Sequence, residues 1–187
     1  MNRLLLNTER SIENLEKNVS LNPHSKNAEG QTLLHIAANQ GNATLAKSLI
    51  LEGADVNAVT NFWYTPLHYA ANHSDVEIAE LLIKNGAKVN ALSNFDYTPL
   101  HYAAHKGKLE LLKLLIENGA VLNIRNNFGH TPLHCAANHG RTEVAKELVK
   151  LGAKLHIEDE DGYTALDLAK KSGYLEIVNL IQSHITD

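Results

Sequence analysis

The sequence predicts an all-α repeat solenoid, and three observations carry that prediction. The tetrapeptide Thr-Pro-Leu-His or a close variant recurs five times at an unbroken 33-residue spacing: Thr32-Leu33-Leu34-His35, Thr65-Pro66-Leu67-His68, Thr98-Pro99-Leu100-His101, Thr131-Pro132-Leu133-His134 and Thr164-Ala165-Leu166-Asp167. Each copy opens a short apolar pattern at helical spacing, and each is followed, after a glycine-type break, by a longer Leu- and Ile-rich stretch. A fixed period of this length marks stacked units that bury their apolar faces only against their neighbours, so stability is spread over many similar interfaces.

Residues 60–92 serve as the type unit. Thr65 before Pro66 predicts a helix start, because a threonine hydroxyl caps an orphan amide and proline at the first position loses no intrahelical bond. Leu67, Ala70 and Ala71 give one apolar face, small enough at the alanines for a second helix to approach closely. The chain breaks at His73-Ser74, where the other units place Gly41, Gly107, Gly140 and Gly173. Val76, Ile78, Ala79, Leu81, Leu82 and Ile83 then predict a longer helix facing both its partner and the next unit, ended by Gly86. The polar, turn-prone residues leading to the next Thr-Pro predict an extended β-hairpin finger.

The pattern x-x-x-G-x-T-P-L-H-x-A-A-x-x-G, a Leu-rich helix and then G-A-x-V-N-A resembles the ankyrin repeat across residues 27–187. The resemblance implies an ankyrin-type helix-turn-helix stack with β-hairpin fingers. Five units are expected, at 27–59, 60–92, 93–125, 126–158 and 159–187, preceded by a degenerate capping unit at 1–26 in which Ile12 and Leu15 fall on Ile78 and Leu81. Departures from the pattern sit at the ends: Leu33 replaces the proline in the first unit, and Ala165 and Asp167 replace proline and histidine in the fifth. Polar, atypical end units are what a solenoid needs to keep its terminal faces out of water, so both ends read as caps of a whole protein.

Composition narrows the function. Seventeen Lys and Arg against 21 Asp and Glu give a formal charge of -4 without basic runs, which argues against nucleic acid. The longest run of leucines, Leu4-Leu5-Leu6, is too short for a membrane span or a secretory leader. A single cysteine, Cys135, is at ease in a reducing compartment. The expected location is intracellular and cytoplasmic, or a host-cell cytoplasm if the source is an intracellular microbe.

Several residue sets invite chemistry. His35, His68, His101 and His134 occur one per unit, too far apart to share a metal ion, since packed helices lie roughly 8–10 Å apart. The resemblance implies that they bond loop backbone between units. His101 and His105 are four apart but lack the intervening glutamate of a metallohydrolase motif, so neither a metal nor a cofactor is expected. Cys135 and His139 have the spacing of a nucleophile and its base, which leaves a small cysteine-dependent enzyme as an alternative. However, Cys135 occupies the slot held by Ile36, Tyr69, Tyr102 and Leu168, an apolar one. Asp159-Glu160-Asp161 reads as a solvated finger tip.

The distinctive feature is the placement of the aromatic residues: seven of ten lie on the fingers, with Asn-Phe recurring as Asn61-Phe62, Asn94-Phe95 and Asn127-Phe128. Stacking makes the phenylalanines a row along one edge, either packed finger on finger or exposed as contact surface. Trp63 replaces the glycine found at Gly30, Gly129 and Gly162, a turn position where bulk is poorly tolerated at positive φ.

Ankyrin repeats bind partners through finger tips and the inner face of the short helices. That surface here comprises Phe62, Trp63, Tyr64, Asn72 and His73; Phe95, Tyr97, His105 and Lys106; Phe128, His130, Asn138 and His139; and Tyr163. The resemblance further implies hydroxylation of Asn57, Asn90 or Asn123 where a suitable enzyme is present. The expected function is a non-enzymatic protein-interaction module serving as adaptor, inhibitor or scaffold. It is expected to be a monomer, with weak self-association through the aromatic row as a further option.

Overall fold

The computed structural model describes residues 22–185. The expected leading cap, including Ile12 and Leu15, lies outside the described residues apart from residues 22–26. The described chain is a stack of five antiparallel helix pairs. They are α1 (Leu33–Gln40) with α2 (Ala43–Leu51), α3 (Pro66–His73) with α4 (Val76–Lys84), and α5 (Pro99–Lys106) with α6 (Leu109–Glu117). These are followed by α7 (Pro132–Asn138) with α8 (Thr142–Lys150), and α9 (Ala165–Lys171) with α10 (Leu175–Ile185).

The short helices start where Thr-Pro dictates. Thr65, Thr98 and Thr131 hold extended backbone as N-caps, and Pro66, Pro99 and Pro132 take the first helical position. Each short helix packs on the next, α1 on α3 through to α7 on α9, and the longer helices form a second layer behind them. Between the layers runs one continuous core. Leu67, Ala70 and Ala71 of α3 meet Ile78, Ala79 and Leu82 of α4, all fully buried, and equivalent residues repeat this along the rod. The alanines let successive short helices approach closely, while each buried Leu or Ile contributes roughly 1.5–3 kcal/mol.

The β-hairpin fingers expected from the sequence are not formed: among the described residues there are no strands, only an isolated antiparallel bridge between Glu158 and Thr164. The reason is competition for donors. Thr60 N–H reaches Tyr64 O at 3.0 Å, but the reciprocal rung is lost, because Tyr64 N–H goes to Thr60 Oγ1 at 3.1 Å and Thr60 C=O is taken by Trp63 N–H at 3.0 Å. The next donor, Thr65 N–H, is used by His68 Nδ1 at 3.1 Å. Each finger is therefore a loop cross-braced by its own side chain, as Ser93, Asn126 and Asp159 repeat in the later fingers.

Neighbouring fingers are joined by single backbone bonds of 3.1 Å: Asn61 N–H to Glu29 O, Asn94 N–H to Phe62 O, Asn127 N–H to Phe95 O and Glu160 N–H to Phe128 O. The Asn-Phe pattern follows from this bracing, since the side chains of Asn61 and Asn127 also donate across, to Ala28 O at 2.9 Å and Asn94 O at 3.3 Å. The phenylalanine is left at the tip.

Candidate binding surface

The histidine ladder sets the spacing of the surface. Thr65 N–H donates to His68 Nδ1, which must therefore be unprotonated, and Nε2 faces Tyr97 O at 2.9 Å, which can only accept, so Nε2 carries the proton. The same arrangement ties His35 to Tyr64 O at 2.9 Å, His101 to His130 O at 3.0 Å and His134 to Tyr163 O at 3.2 Å. Each imidazole thus holds the finger of the following unit against its own helix. Burial holds His35, His68 and His101 down to about 4, against the smaller upward pull of those carbonyls. Asp167 ends the ladder: its carboxylate accepts from Thr164 N–H at 3.1 Å and Thr164 Oγ1–H at 2.6 Å, and the described residues beyond it hold no finger carbonyl to which a histidine could donate.

With both nitrogens of His101 committed, neither is free to share a metal with His105. Among the described residues no three His, Cys, Asp or Glu side chains group as metal ligands. The Cys135–His139 spacing does not produce a catalytic pair. His139 Nδ1 lies 2.9 Å from the backbone carbonyl of Cys135, and burial pushes the Cys135 thiol up to about 12. A thiol of that kind is a small core hydrophobe, not an activated nucleophile.

The ladder positions Tyr64 and Tyr97 against the inner helices, where they meet two residues sequence reasoning did not select. Tyr69 and Tyr102 lie on the concave face in half-buried positions. Tyr102 Oη–H donates to Tyr64 Oη at 3.0 Å and Gln31 Nε2–H to Tyr69 Oη at 2.9 Å. Ring centroids fall 6.1 Å apart for Tyr64–Tyr69 and Tyr64–Tyr102 and 5.6 Å for Tyr97–Tyr102, with Phe128 a further 6.4 Å from Tyr97. Burial first, and then the Tyr64 hydroxyl, raise the ionisation of Tyr102 well above the ordinary tyrosine value. A signal for this pair existed in the sequence, since tyrosine in a column otherwise filled by Ile36, Cys135 and Leu168 marks a place where that column meets water.

Two shallow clefts open on this cluster. One of about 170 Å³ is lined by Tyr64, His68, Tyr69, Asn72 and Tyr102. The other, of about 280 Å³, lies between Asn72, Tyr97, His101, Tyr102 and His105. Above them Phe62, Trp63, Phe95 and Phe128 are 54%, 62%, 44% and 53% exposed. Trp63 adopts φ 62° and Asp96 φ 56° at the tips of successive fingers, and Ser74, which ends α3, adopts φ 68°. These are the three described non-glycine residues with positive φ, and all lie in the second and third units.

The remaining selected residues are dispersed along the rod. His73 and Lys106 are exposed at the ends of α3 and α5. Asn138 accepts from Ser172 Oγ at 3.3 Å, and Tyr163 lies apart from the tyrosine cluster, under Lys171 Nζ at 4.9 Å. His130 is paired with Asp159 at 3.2 Å, and the latter corrects the expectation of a solvated acidic tip. Asp159 is buried and accepts from Asp161 and Tyr163 N–H, while Glu160 and Asp161 are exposed. Asn57 and Asn90 lie elsewhere, bridging successive units by donating to Gly86 O and Gly119 O and accepting from Lys88 and Val121 N–H, and Asn123 accepts from Lys154 N–H.

The family described as ankyrin repeats (3 copies) matches residues 4–93, 34–126 and 100–187. The chain belongs to the ankyrin repeat family. No curated protein matches it. An ankyrin stack is a protein-interaction scaffold, and among the described residues of this one no helix is long and apolar enough to cross a membrane.

Proposed function

We propose that this ankyrin protein binds a protein partner through its second to fourth finger tips and the tyrosine-lined concave face behind them, as an adaptor, inhibitor or scaffold. The observation that carries this reading is Trp63. A tryptophan at a tight-turn position with φ 62° costs roughly 1–2 kcal/mol relative to the glycine used in other fingers, and its side chain is 62% exposed. Strain without a packing return points to a role outside the monomer. The same finger carries Phe62 and Tyr64, and Phe95, Tyr97 and Tyr102 of the next unit add to the rigid aromatic area that dominates protein interfaces.

The test is affinity capture with the wild type and with Phe62→Ala/Trp63→Gly/Phe95→Ala, both verified as folded by circular dichroism. A partner retained by the wild type should be lost from the triple variant. Equal recovery by both would place the contact elsewhere. Light scattering over a concentration series separates a foreign partner from self-association through the phenylalanine row.

A further inference from the structure

Beside the tyrosine clefts the concave face changes character. His105 in the last turn of α5 and His139 at the end of α7 bring their rings to 4.0 Å between centroids. Arg141, the residue before α8, lies over Gly107 and donates from Nε to the carbonyl of His105 at 2.9 Å, and Lys106 stands next to them, exposed. His139 uses Nδ1 on the Cys135 carbonyl, which leaves Nε2 for a ligand. His105 thus gathers three further bases, Lys106, His139 and Arg141, and itself lines the cleft formed with Asn72, Tyr97, His101 and Tyr102.

Among the described residues, none of these four bases meets a carboxylate. Among the described residues the ion pairs use Lys84, Lys113, Arg125, Lys146 and Lys170, and His130 meets Asp159. The negative ends of short helices favour bases in general. That preference does not explain two imidazoles in contact beside an arginine. Burial first, then His139, Lys106 and Arg141, hold His105 below the ordinary histidine value. Arg141 and Lys106, cations without a carboxylate on a chain of net charge -4, make the site complementary to a negative group supplied from outside.

We infer that this rim is a docking site for an acidic segment of the partner protein, with a glutamate or aspartate side chain seated between His105, His139 and Arg141 and a neighbouring apolar side chain in the cleft against Tyr97 and Tyr102. The inference rests on the proposed concave binding surface and gives its partner a chemistry. The charged or titratable groups around His105 are His101, Tyr102 and Lys106 on its own helix, Tyr97 in the finger before it, His139 from α7 and Arg141 ahead of α8, while α3 presents the neutral Asn72. An entering carboxylate favours the protonated form of His105, so affinity rises as pH falls toward 6.5.

The experiment is a random dodecapeptide display selection on the whole chain at pH 6.5, followed by fluorescence anisotropy with the recovered peptides carrying fluorescein. Expected are peptides enriched in Asp or Glu next to an apolar residue. Their affinity should fall at least tenfold when the acid is replaced by its amide and similarly in His105→Gln and Arg141→Gln. It should weaken several-fold from pH 6.5 to 7.5 in the wild type but less in His105→Gln. Lys106→Gln, at an exposed position, checks the result in a variant whose folding is not at issue and should lose several-fold. Peptides that depend on Phe62 and Trp63 but show no acidic enrichment would overturn the acidic site while leaving the aromatic surface standing. Recovery of no peptide by the wild type would remove both. Equal competition by a single-stranded oligonucleotide or by inorganic phosphate would reduce the site to unspecific anion attraction and overturn it.

Discussion

Two adjacent columns of side chains on the same short helices behave in opposite ways. His35, His68, His101 and His134 repeat without variation, are buried, and have both ring nitrogens satisfied. The next residues, Ile36, Tyr69, Tyr102 and Cys135, vary from unit to unit: Tyr69 and Tyr102 are half-buried on the concave face, whereas Cys135 is buried in the core. Periodicity here marks what every unit needs in order to stack. The departure from it marks what sets the middle of the rod apart from its ends.

The largest test of this contrast is acid. A ladder histidine with a folded-state value of about 4 binds its proton less readily than in the unfolded chain, so between that value and 6.5 the unfolded state carries more protons and stability rises with pH. The ladder's contribution is fully present above about pH 6.5 and is lost as pH falls toward 4. Going from pH 7 to pH 5, each of His35, His68 and His101 should cost about 2 kcal/mol, and together on the order of 5 kcal/mol. Urea unfolding at the two pH values checks this, and a midpoint that stays constant would mean that the ladder is not buried neutral.

Next in size is a pair of substitutions one residue apart. His68→Ala strands Thr65 N–H and Tyr97 O and opens a cavity, with an expected loss of about 2–4 kcal/mol. Tyr69→Phe removes one hydroxyl bonded to Gln31 at the surface and should cost under about 1 kcal/mol. If the two variants melt together, the columns do not divide into a structural and a surface one.

What could be read from the sequence followed the range of the interactions. Thr-Pro-Leu-His declared the helix starts because capping operates within four residues, and the alanines declared the close helix contacts. The β-hairpin reading failed because Thr60 Oγ1 and His68 Nδ1 take the amides a ladder needs, and a polar, turn-prone segment looks the same with or without that diversion. Asp159 was misread for a related reason: His130, its partner, lies in the preceding finger, a distance that local pattern does not span. Tyr69 and Tyr102 shared an apolar column in which tyrosine hinted at water, but only the stack brings that column beside Tyr64 and Tyr97. His105 and His139 become neighbours through the same stacking.

The smallest effect is the most informative about the middle fingers. Trp63→Gly should stabilise the fold by about 1 kcal/mol, since glycine adopts φ 62° without the clash a Cβ incurs. Ser74→Gly, at φ 68° on the opposite end of α3, should gain a comparable amount for the same reason. The two separate strain from purpose. If the concave aromatic surface is where a partner sits, Trp63→Gly should raise the melting temperature by a few degrees and weaken binding at least tenfold, while Ser74→Gly raises it and leaves binding nearly unchanged. Thermal melts with titration of a peptide bound by the wild type decide it. A Trp63→Gly variant that is more stable and binds as well as the wild type would reduce the tryptophan to a tolerated defect, and the second finger would lose its claim to the centre of the contact.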